Sequence, residues 1–333
     1  MHYRPLGKSH LQVSNLCLGA MMFGDQTPTE EAREIVAHAR AAGVNYLDTA
    51  DVYTTGASEQ MVGEILRGQR DDWVLATKLG NRMAPGPNAT GYSRSWMLRE
   101  VEESLQRLQT DRVDILYMHR DAEGMDLEEP LRAMETLLRD GKIRYWGVSN
   151  FRGWRIAEAV HMARQIGMPG PVVCQPYYNL LNRMPEVEIL PACAHHGIGV
   201  TPYSPLARGV LTGKYAPGQQ PPEGTRAGRG DKRIGETEFR AESLEIAQKL
   251  KAHAESKGTT LPVFASAWVL ANSAVSSIIA GPRTLAQWQS YLPAIDYAWT
   301  DEDEALVDSL VPRGHPSTPG YTDPAYPLRP RRG

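Results

Sequence analysis

Residues 113–150 read VDILYMHRDAEGMDLEEPLRAMETLLRDGKIRYWGVSN, and the way this stretch is built decides the fold. Val113–Met118 is a short, nearly continuous apolar run, the composition of a strand buried on both faces. Asp126 with Glu129 then makes a capping pattern in front of a helix over Leu127–Arg139, which Asp140-Gly141 stops. Ile143–Gly147 opens a second apolar run. A strand, a helical crossover and a second strand make one βαβ unit, and its two strands run parallel.

The same alternation extends in both directions. Leu16–Ala20, Val44–Asp48 and Trp73–Thr77 are candidate strands before this unit, and Val172–Cys174, Ile198–Thr201 and Ser277–Ala280 follow it, eight in all. In Thr27-Pro28-Thr29-Glu30 a threonine N-cap, a proline at the first helical position and a closing glutamate are expected, with Gly43 just past the helix end. Tyr92–Leu108 places Trp96, Leu98, Val101, Leu105 and Leu108 at helical spacing. Thr300 with Asp303 opens a last helix that Pro312 ends. Eight strand–helix units close most naturally into an α/β fold of the (β/α)8 TIM-barrel type. The runner-up, a doubly wound open sheet, lacks its dinucleotide fingerprint: Gly228-Arg229-Gly230 lies in a polar loop without a third glycine.

In this reading residues 1–333 form a single domain: a β-hairpin cap over 1–15 with Gly7-Lys8-Ser9 at its turn, a barrel over 16–311 and a tail over 312–333. Residues 213–237 make a long loop before the eighth strand, and its Arg226, Arg229, Lys232 and Arg233, with Asp231, read as a solvated run. The tail is rich in tyrosine and proline, among them Tyr321 and Tyr326, rigid groups that lose little entropy on docking, so residues 315–327 are expected to pack along the barrel, with part of them bordering the substrate pocket or a subunit contact.

Lys and Arg number 36 against 39 Asp and Glu, a net charge of -3, which offers no reason to bind nucleic acid or an anionic membrane. The three cysteines, Cys17, Cys174 and Cys193, are widely spaced with no CxxC, the usage of a reducing compartment. Met1–Gly7 carries no apolar run, and Leu261–Ala280 is interrupted by Pro262, Asn272 and serines. A cytoplasmic protein with no membrane span is therefore expected. His195-His196 precede Gly197 at a helix end without further ligands at metal spacing, so no metal is expected.

Barrel enzymes carry their chemistry at the C-terminal strand ends. Asp48 ends the second strand, Tyr53 follows five residues later, Lys78 comes directly after the third and His119 directly after the fourth. Each alone has a bland explanation, a turn cap or a satisfied core side chain. Together they are coherent. A tyrosine hydroxyl, with a free pKa near 10, is a weak acid unless its phenolate is stabilised. A lysine ammonium supplies that stabilisation, a carboxylate orients the lysine, and a histidine hydrogen-bonds an oxygen gaining charge.

Asn45–Tyr53 (NYLDTADVY), Ala76-Thr77-Lys78, Asp114–His119 (DILYMH), Gly147–Phe151 (GVSNF), Gln175–Asn179 (QPYYN), Tyr203–Leu206 (YSPL) and Gly209–Tyr215 (GVLTGKY) resemble, in order, the active-site motifs of the aldo-keto reductase superfamily. The resemblance runs from about residue 1 to 310. The loop before strand eight is similar to the branch of aryl-alcohol dehydrogenases, aflatoxin aldehyde reductases and potassium-channel β subunits.

This resemblance implies NADPH or NADP+ held across the barrel mouth and reduction of a small-molecule aldehyde or ketone, with Asp48, Tyr53, Lys78 and His119 catalytic. By position it implies that Ser149, Asn150 and Gln175 hold the nicotinamide carboxamide and that Tyr203 stacks on the ring. Ser204, Leu206, Gly209 and Lys214 would line the pyrophosphate. Gly281, Arg283 and Gln287 would grip the adenosine 2′-phosphate and adenine, with Arg283 favouring NADPH. The basic run at 226–233 could help to fold over those phosphates, as its lesser reading.

Two departures stand out. Tyr291 replaces an expected adenine-binding Asn. Met118 and the segment Asp121-Ala122-Glu123-Gly124-Met125 imply an altered substrate wall, with Arg120 and Asp121 expected to pair at the rim. The competing class is an NADP(H)-binding sensor subunit of the channel-β type, against which a start so close to the hairpin weighs mildly. A cofactor-free isomerase or aldolase would need Lys78 as a Schiff-base amine. Assembly into a homo-oligomer stays open.

Overall fold

The computed structural model describes residues 1–122 and 124–327. Eight parallel strands form its centre: β3 (Leu16–Gly19), β4 (Tyr46–Asp48), β5 (Val74–Leu79), β6 (Val113–Met118), β7 (Ile143–Ser149), β8 (Val173–Gln175), β9 (Gly199–Val200) and β10 (Ile278–Ala280), with β10 paired to β3. The remaining seam is bridged by backbone bonds from Ser276 N–H to the Val200 carbonyl at 2.8 Å and from Ile279 N–H to the Pro202 carbonyl at 3.0 Å. The sheet thus curls back on itself, the (β/α)8 arrangement expected.

Between the strands run α1 (Thr29–Ala41), α2 (Ala57–Ile65), α3 (Arg94–Leu108), α4 (Glu128–Arg139), α5 (Gly153–Gln165), α6 (Ile189–His196), α7 (Lys232–Glu236), α8 (Ala241–Ser256), α9 (Leu261–Ala271), α10 (Leu285–Gln289) and α11 (Asp301–Leu310). Their buried faces pack on the outside of the sheet as one apolar shell. A second, smaller cluster fills the barrel: Cys17, Tyr46, Ala76, Ile115, Tyr117 and Val173, with the Tyr46 and Tyr117 hydroxyls bonded at 2.7 Å. No helix among the described residues is long and apolar enough to cross a membrane.

The hairpin forms as expected, β1 (Tyr3–Pro5) antiparallel to β2 (Gln12–Ser14), and it plugs the lower end of the barrel with Leu6 and Val13. Its turn needs a glycine. Gly7 has φ +60°, and a Cβ there would stand 2.6 Å from the Gly197 carbonyl oxygen and the Gly199 nitrogen.

Two capping expectations are corrected. Thr27 does not cap α1: its hydroxyl donates to the Arg283 carbonyl at 3.0 Å, and Pro28 takes the cap position without a side-chain bond. Asp126 does accept from Glu128 N–H at 2.8 Å, but Glu129 closes no box, because its carboxylate accepts from Arg94 N–H at 2.9 Å. The Thr300–Asp303 box is present on α11.

The tail packs rather than dangles over its described part. Arg183 N–H donates to the His315 carbonyl at 3.0 Å, and Ser317 N–H to the Leu181 carbonyl at 2.9 Å. The Ser317 side chain is buried against Ser243 at 2.8 Å. Residues 328–333 of the tail lie outside the described residues.

Candidate active site

The expected catalytic side chains meet at the C-terminal strand ends. Sheet register sets Asp48 beside Ala76 and Lys78 beside Tyr117, so the acid and the base come from adjacent strands. Lys78 lies within β5, which runs on to Leu79, rather than after it: the side chain is fully buried and points along the barrel toward Asp48. Its Nζ donates to Asp48 Oδ1 at 2.5 Å, the Thr49 carbonyl at 2.7 Å and the Tyr53 hydroxyl oxygen at 3.1 Å. Tyr53 opens a tight turn in which Thr54 and Thr55 adopt φ of 48° and 52°, left-handed conformations that β-branched residues rarely hold. The His119 ring stands edge-on to Tyr53, centroids 5.8 Å apart and planes at 84°.

Electrostatics fix the protonation states. Burial alone would strip the proton from Lys78, but Asp48 and Tyr53 outweigh it and raise its pKa. Its three donated bonds leave Nζ without the bare lone pair that a Schiff-base amine needs. Burial also pushes Asp48 up, against Lys78 and Gln175. For Tyr53 burial raises the pKa and Lys78 only moderates the rise, so the lysine's lowering effect expected from sequence is present without dominating. Burial, then the charges of Lys78 and Arg120, push His119 well down, which leaves a neutral imidazole. Its Nδ1 is 3.0 Å from Asn81 Nδ2.

Ser149, Asn150 and Gln175 are joined to this cluster by one continuous network. Gln175 Nε2 donates to Asp48 Oδ2 at 2.9 Å, and Ser149 Oγ to the Gln175 carbonyl at 2.9 Å. Asn150 Nδ2 donates to the His119 carbonyl at 2.9 Å and to Ser149 Oγ at 3.0 Å, while Asn150 Oδ1 accepts from the Tyr203 hydroxyl at 2.8 Å. The Tyr203 ring stacks on Tyr177, centroids 5.5 Å apart, and the Arg208 guanidinium lies 4.9 Å over Tyr177.

A cleft of about 790 Å³ opens above these groups, and Asp48, Tyr53, His119, Tyr203, Lys214 and Arg283 all face it. Ser149, Asn150, Gln175, Ser204, Leu206, Gly209, Gly281 and Gln287 line it too. All the expected site residues except the buried Lys78 therefore share one cavity. Lys214, Arg229 and Arg283 have no carboxylate partner there among the described residues; the nearest side-chain bond of Arg283 goes to the Gln26 amide at 3.4 Å. The Gln287 amide oxygen accepts from Arg283 N–H at 2.9 Å. Tyr291 also lines the cleft, its phenol pushed up by burial.

Other expectations are corrected. The basic run is solvated only in part: Lys232 is exposed and paired to Glu236, whereas Arg226, the exposed Arg229, Asp231 and Arg233 line the cleft, with Arg226 paired to Asp231 at 2.9 Å and Arg233 to Asp323 at 2.7 Å. Arg120 and Asp121 do not pair, because Asp121 is taken by Arg155 at 3.0 Å. Arg155 also holds the Met125 carbonyl, and Met118 is buried in the outer shell. The described part of 118–125, apart from His119, therefore stands off the cleft, and Glu123 lies outside the described residues. The His195 and His196 rings meet edge-on at 81°, and no cluster of metal ligands occurs among the described residues.

Sequence reasoning missed Asn81 and Arg208 with its partner Glu238. Asn81 could have been noticed as a polar residue just past a strand end. Nothing local marks the other two. Tyr326 lines the cleft from the tail, the border expected of residues 315–327.

A sequence model of the aldo/keto reductase family matches residues 15–312. The chain is 40% identical over 303 residues to a probable voltage-gated potassium channel subunit beta of Arabidopsis thaliana, covering 89% of this chain and 92% of that one. A protein of the same description from Oryza sativa subsp. japonica is 38% identical, covering 94% and 98%. An uncharacterized oxidoreductase of Bacillus subtilis (strain 168) is 34% identical, covering 96% and 98%.

Proposed function

Because the chain belongs to the aldo/keto reductase family, we propose that it is an NADPH-dependent reductase of aldehydes or ketones with Tyr53 as the proton donor. The observation that carries this reading is the three-way bonding of Lys78 Nζ to Asp48, Thr49 and Tyr53, beside a neutral His119 on the floor of an open cleft. It gives a phenol a cation 3.1 Å away, ready to stabilise the phenolate left when the proton goes.

The donor set fits the cofactor. A flat aromatic face at Tyr203 suits a nicotinamide ring, the Gln175 and Asn150 amides suit its carboxamide, and Lys214, Arg229 and Arg283, without carboxylate partners, suit phosphates. Ser204, Leu206 and Gly209 offer backbone along the diphosphate, and Gly281 and Gln287 flank Arg283 at the adenosine end. When bound, NADPH supplies the hydride that goes to the carbonyl carbon. His119 holds the carbonyl oxygen, Tyr53 gives that oxygen its phenolic proton, Lys78 stabilises the phenolate formed, and Asp48 keeps Lys78 charged and aimed. A cytoplasmic, reducing setting belongs to the same reading and agrees with three buried free cysteines.

The second reading, a slowly turning NADP(H)-sensing partner of a channel, is favoured by the identity to proteins described as channel β subunits. Steady-state NADPH oxidation with a panel of aldehydes separates the two. Multiple turnovers per second, lost in Tyr53→Phe while NADPH still binds, support the reductase. Wild-type turnover slower than one per minute across the panel, or full activity in Tyr53→Phe, sinks it.

A further inference from the structure

His119 can present either a donor or an acceptor to the cleft, and which it presents depends on the nitrogen that carries its single proton. One of its two nitrogens is already committed. Asn81 Nδ2 lies 3.0 Å from Nδ1, and an amide NH2 can only donate, so Nδ1 must accept and be bare. No described residue bonds Nε2, the nitrogen left for the cleft. We propose that Asn81 is a positioning residue that sets the His119 tautomer, placing the proton on Nε2 so that the ring donates a hydrogen bond to the substrate's carbonyl oxygen.

The local backbone is built for this contact. Gly80 has φ +126°, and a Cβ there would come within 2.2 Å of the Tyr92 hydroxyl oxygen. Only glycine allows the chain to turn sharply after β5 and bring Asn81 across the end of β6. The Tyr92 hydroxyl in turn donates to the Arg120 carbonyl at 2.6 Å and accepts from Arg120 N–H at 3.1 Å. His119 N–H donates to the Leu79 carbonyl at 2.9 Å. One bond thus joins the two strand ends directly, and the two Tyr92 bonds hold Arg120 in place beside the imidazole.

The logic is that of a histidine oriented by its second nitrogen. A reversed amide, with oxygen toward Nδ1, would put the proton on Nδ1 and leave Nε2 as a lone pair facing another lone pair on the carbonyl. That arrangement repels the substrate. The role in catalysis rests on the reductase reading, but the tautomer does not.

The test is 15N NMR of histidine-labelled full-length protein at neutral pH, with His119 assigned by its loss in His119→Asn. Protonated and bare ring nitrogens give well-separated resonances. The wild type is expected to show Nε2–H, and Asn81→Asp, whose carboxylate can only accept, to move the proton to Nδ1. Asn81→Leu should show a mixture. In parallel, Asn81→Asp should lower kcat/KM for a test aldehyde at least about tenfold with NADPH affinity unchanged. A wild-type proton on Nδ1, or resonances unmoved in Asn81→Asp, overturns the proposal; should that variant fail to fold, the wild-type spectrum and Asn81→Leu decide it. A wild type that shows Nε2–H yet reduces no aldehyde supports the tautomer assignment and sinks the reductase reading instead.

Discussion

Arg233 and Asp323 clasp each other through two parallel bonds, Nη1 to Oδ1 at 3.0 Å and Nη2 to Oδ2 at 2.7 Å, and so tie the loop before the last strand to the C-terminal segment. The segment is held on its other side by Arg152, whose Nη2 donates to the Pro327 carbonyl at 2.8 Å. Between these anchors Ala325 and Tyr326 reach the cleft.

Opening this clasp should act on substrate more than on fold. A partly exposed pair of this kind contributes about 1 kcal/mol, so Asp323→Ala is expected to raise KM for a bulky aldehyde about fivefold with melting temperature nearly unchanged. Burial opposes ionisation of Asp323, but the Arg233 bonds outweigh it and hold the carboxyl below its usual range. The clasp's contribution is therefore complete above about pH 4 and is lost as pH falls through the lower folded value. Equal KM values for wild type and Asp323→Ala would show that the clasp does not shape the pocket.

Truncation should divide the tail in two. Ending the chain after residue 321 removes the clasp but keeps Ser317 buried, and is expected to alter KM with little loss of stability. Ending it after residue 312 also removes the Ser317 and His315 bonds to 181–183, and should lower the melting temperature by several degrees, about 2 kcal/mol for two buried bonds and their packing. Scanning calorimetry of both truncations against the full chain checks this.

Lys78→Met leaves the Asp48 carboxylate buried without its partner. Breaking one side of such a pair costs about 3–5 kcal/mol, so this variant is expected to be far less stable, as well as inactive. Adding Asp48→Asn removes the orphaned charge and should recover most of the stability but none of the activity. Urea denaturation of the single and double variants is the measurement. A double variant no more stable than the single would mean that the carboxylate is not the source of the loss.

The pH profile of carbonyl reduction follows from two directions. His119 is pushed well below its ordinary value, so no step is expected where an unperturbed histidine titrates, near about pH 6.5. Tyr53 must be protonated to act, and burial raises its pKa, so kcat/KM should stay flat between about pH 7 and 10. An inflection near neutrality that vanishes in His119→Asn would contradict the neutral imidazole.

Arg283 has no carboxylate partner among the described residues and lines the same cleft as Tyr53. Arg283→Ala is expected to weaken NADPH binding at least about tenfold, the loss of one charge-assisted phosphate contact, and to leave NADH binding almost unchanged. Fluorescence titration with both cofactors reads this directly. Equal losses for the two would place Arg283 on a phosphate they share.

The strands were legible because each is a short apolar run, and the run marks the strand wherever both faces are buried. Their ends were less so. β5 runs on through Lys78 to Leu79 because the lysine's charge is satisfied inside the barrel, where a polar residue otherwise signals a strand end. The four candidate catalytic positions could be read from strand ends and family motifs together. What stayed hidden depends on partners far along the chain. Thr27 looked like a cap until the Arg283 carbonyl, 256 residues away, claimed its hydroxyl. Arg233 looked solvated until Asp323, 90 residues on, paired with it. No local pattern announces such contacts. Tyr53 was named by its motif, yet the left-handed threonines that follow it have no signature in sequence.

The hairpin stopper formed by Leu6 and Val13 closes the lower end of a barrel already filled with side chains, so the doorway to the strand-end groups is the cleft above them. On the reductase proposal, a dinucleotide lying against Tyr203 and Gln175 at the strand ends would go in before the carbonyl and come out after it. The doorway is bordered by loop 213–237 and by the tail. On the same proposal, a chain with a loosened clasp is expected to release its dinucleotide sooner, and so to work faster when crowded with substrate and worse when starved of it.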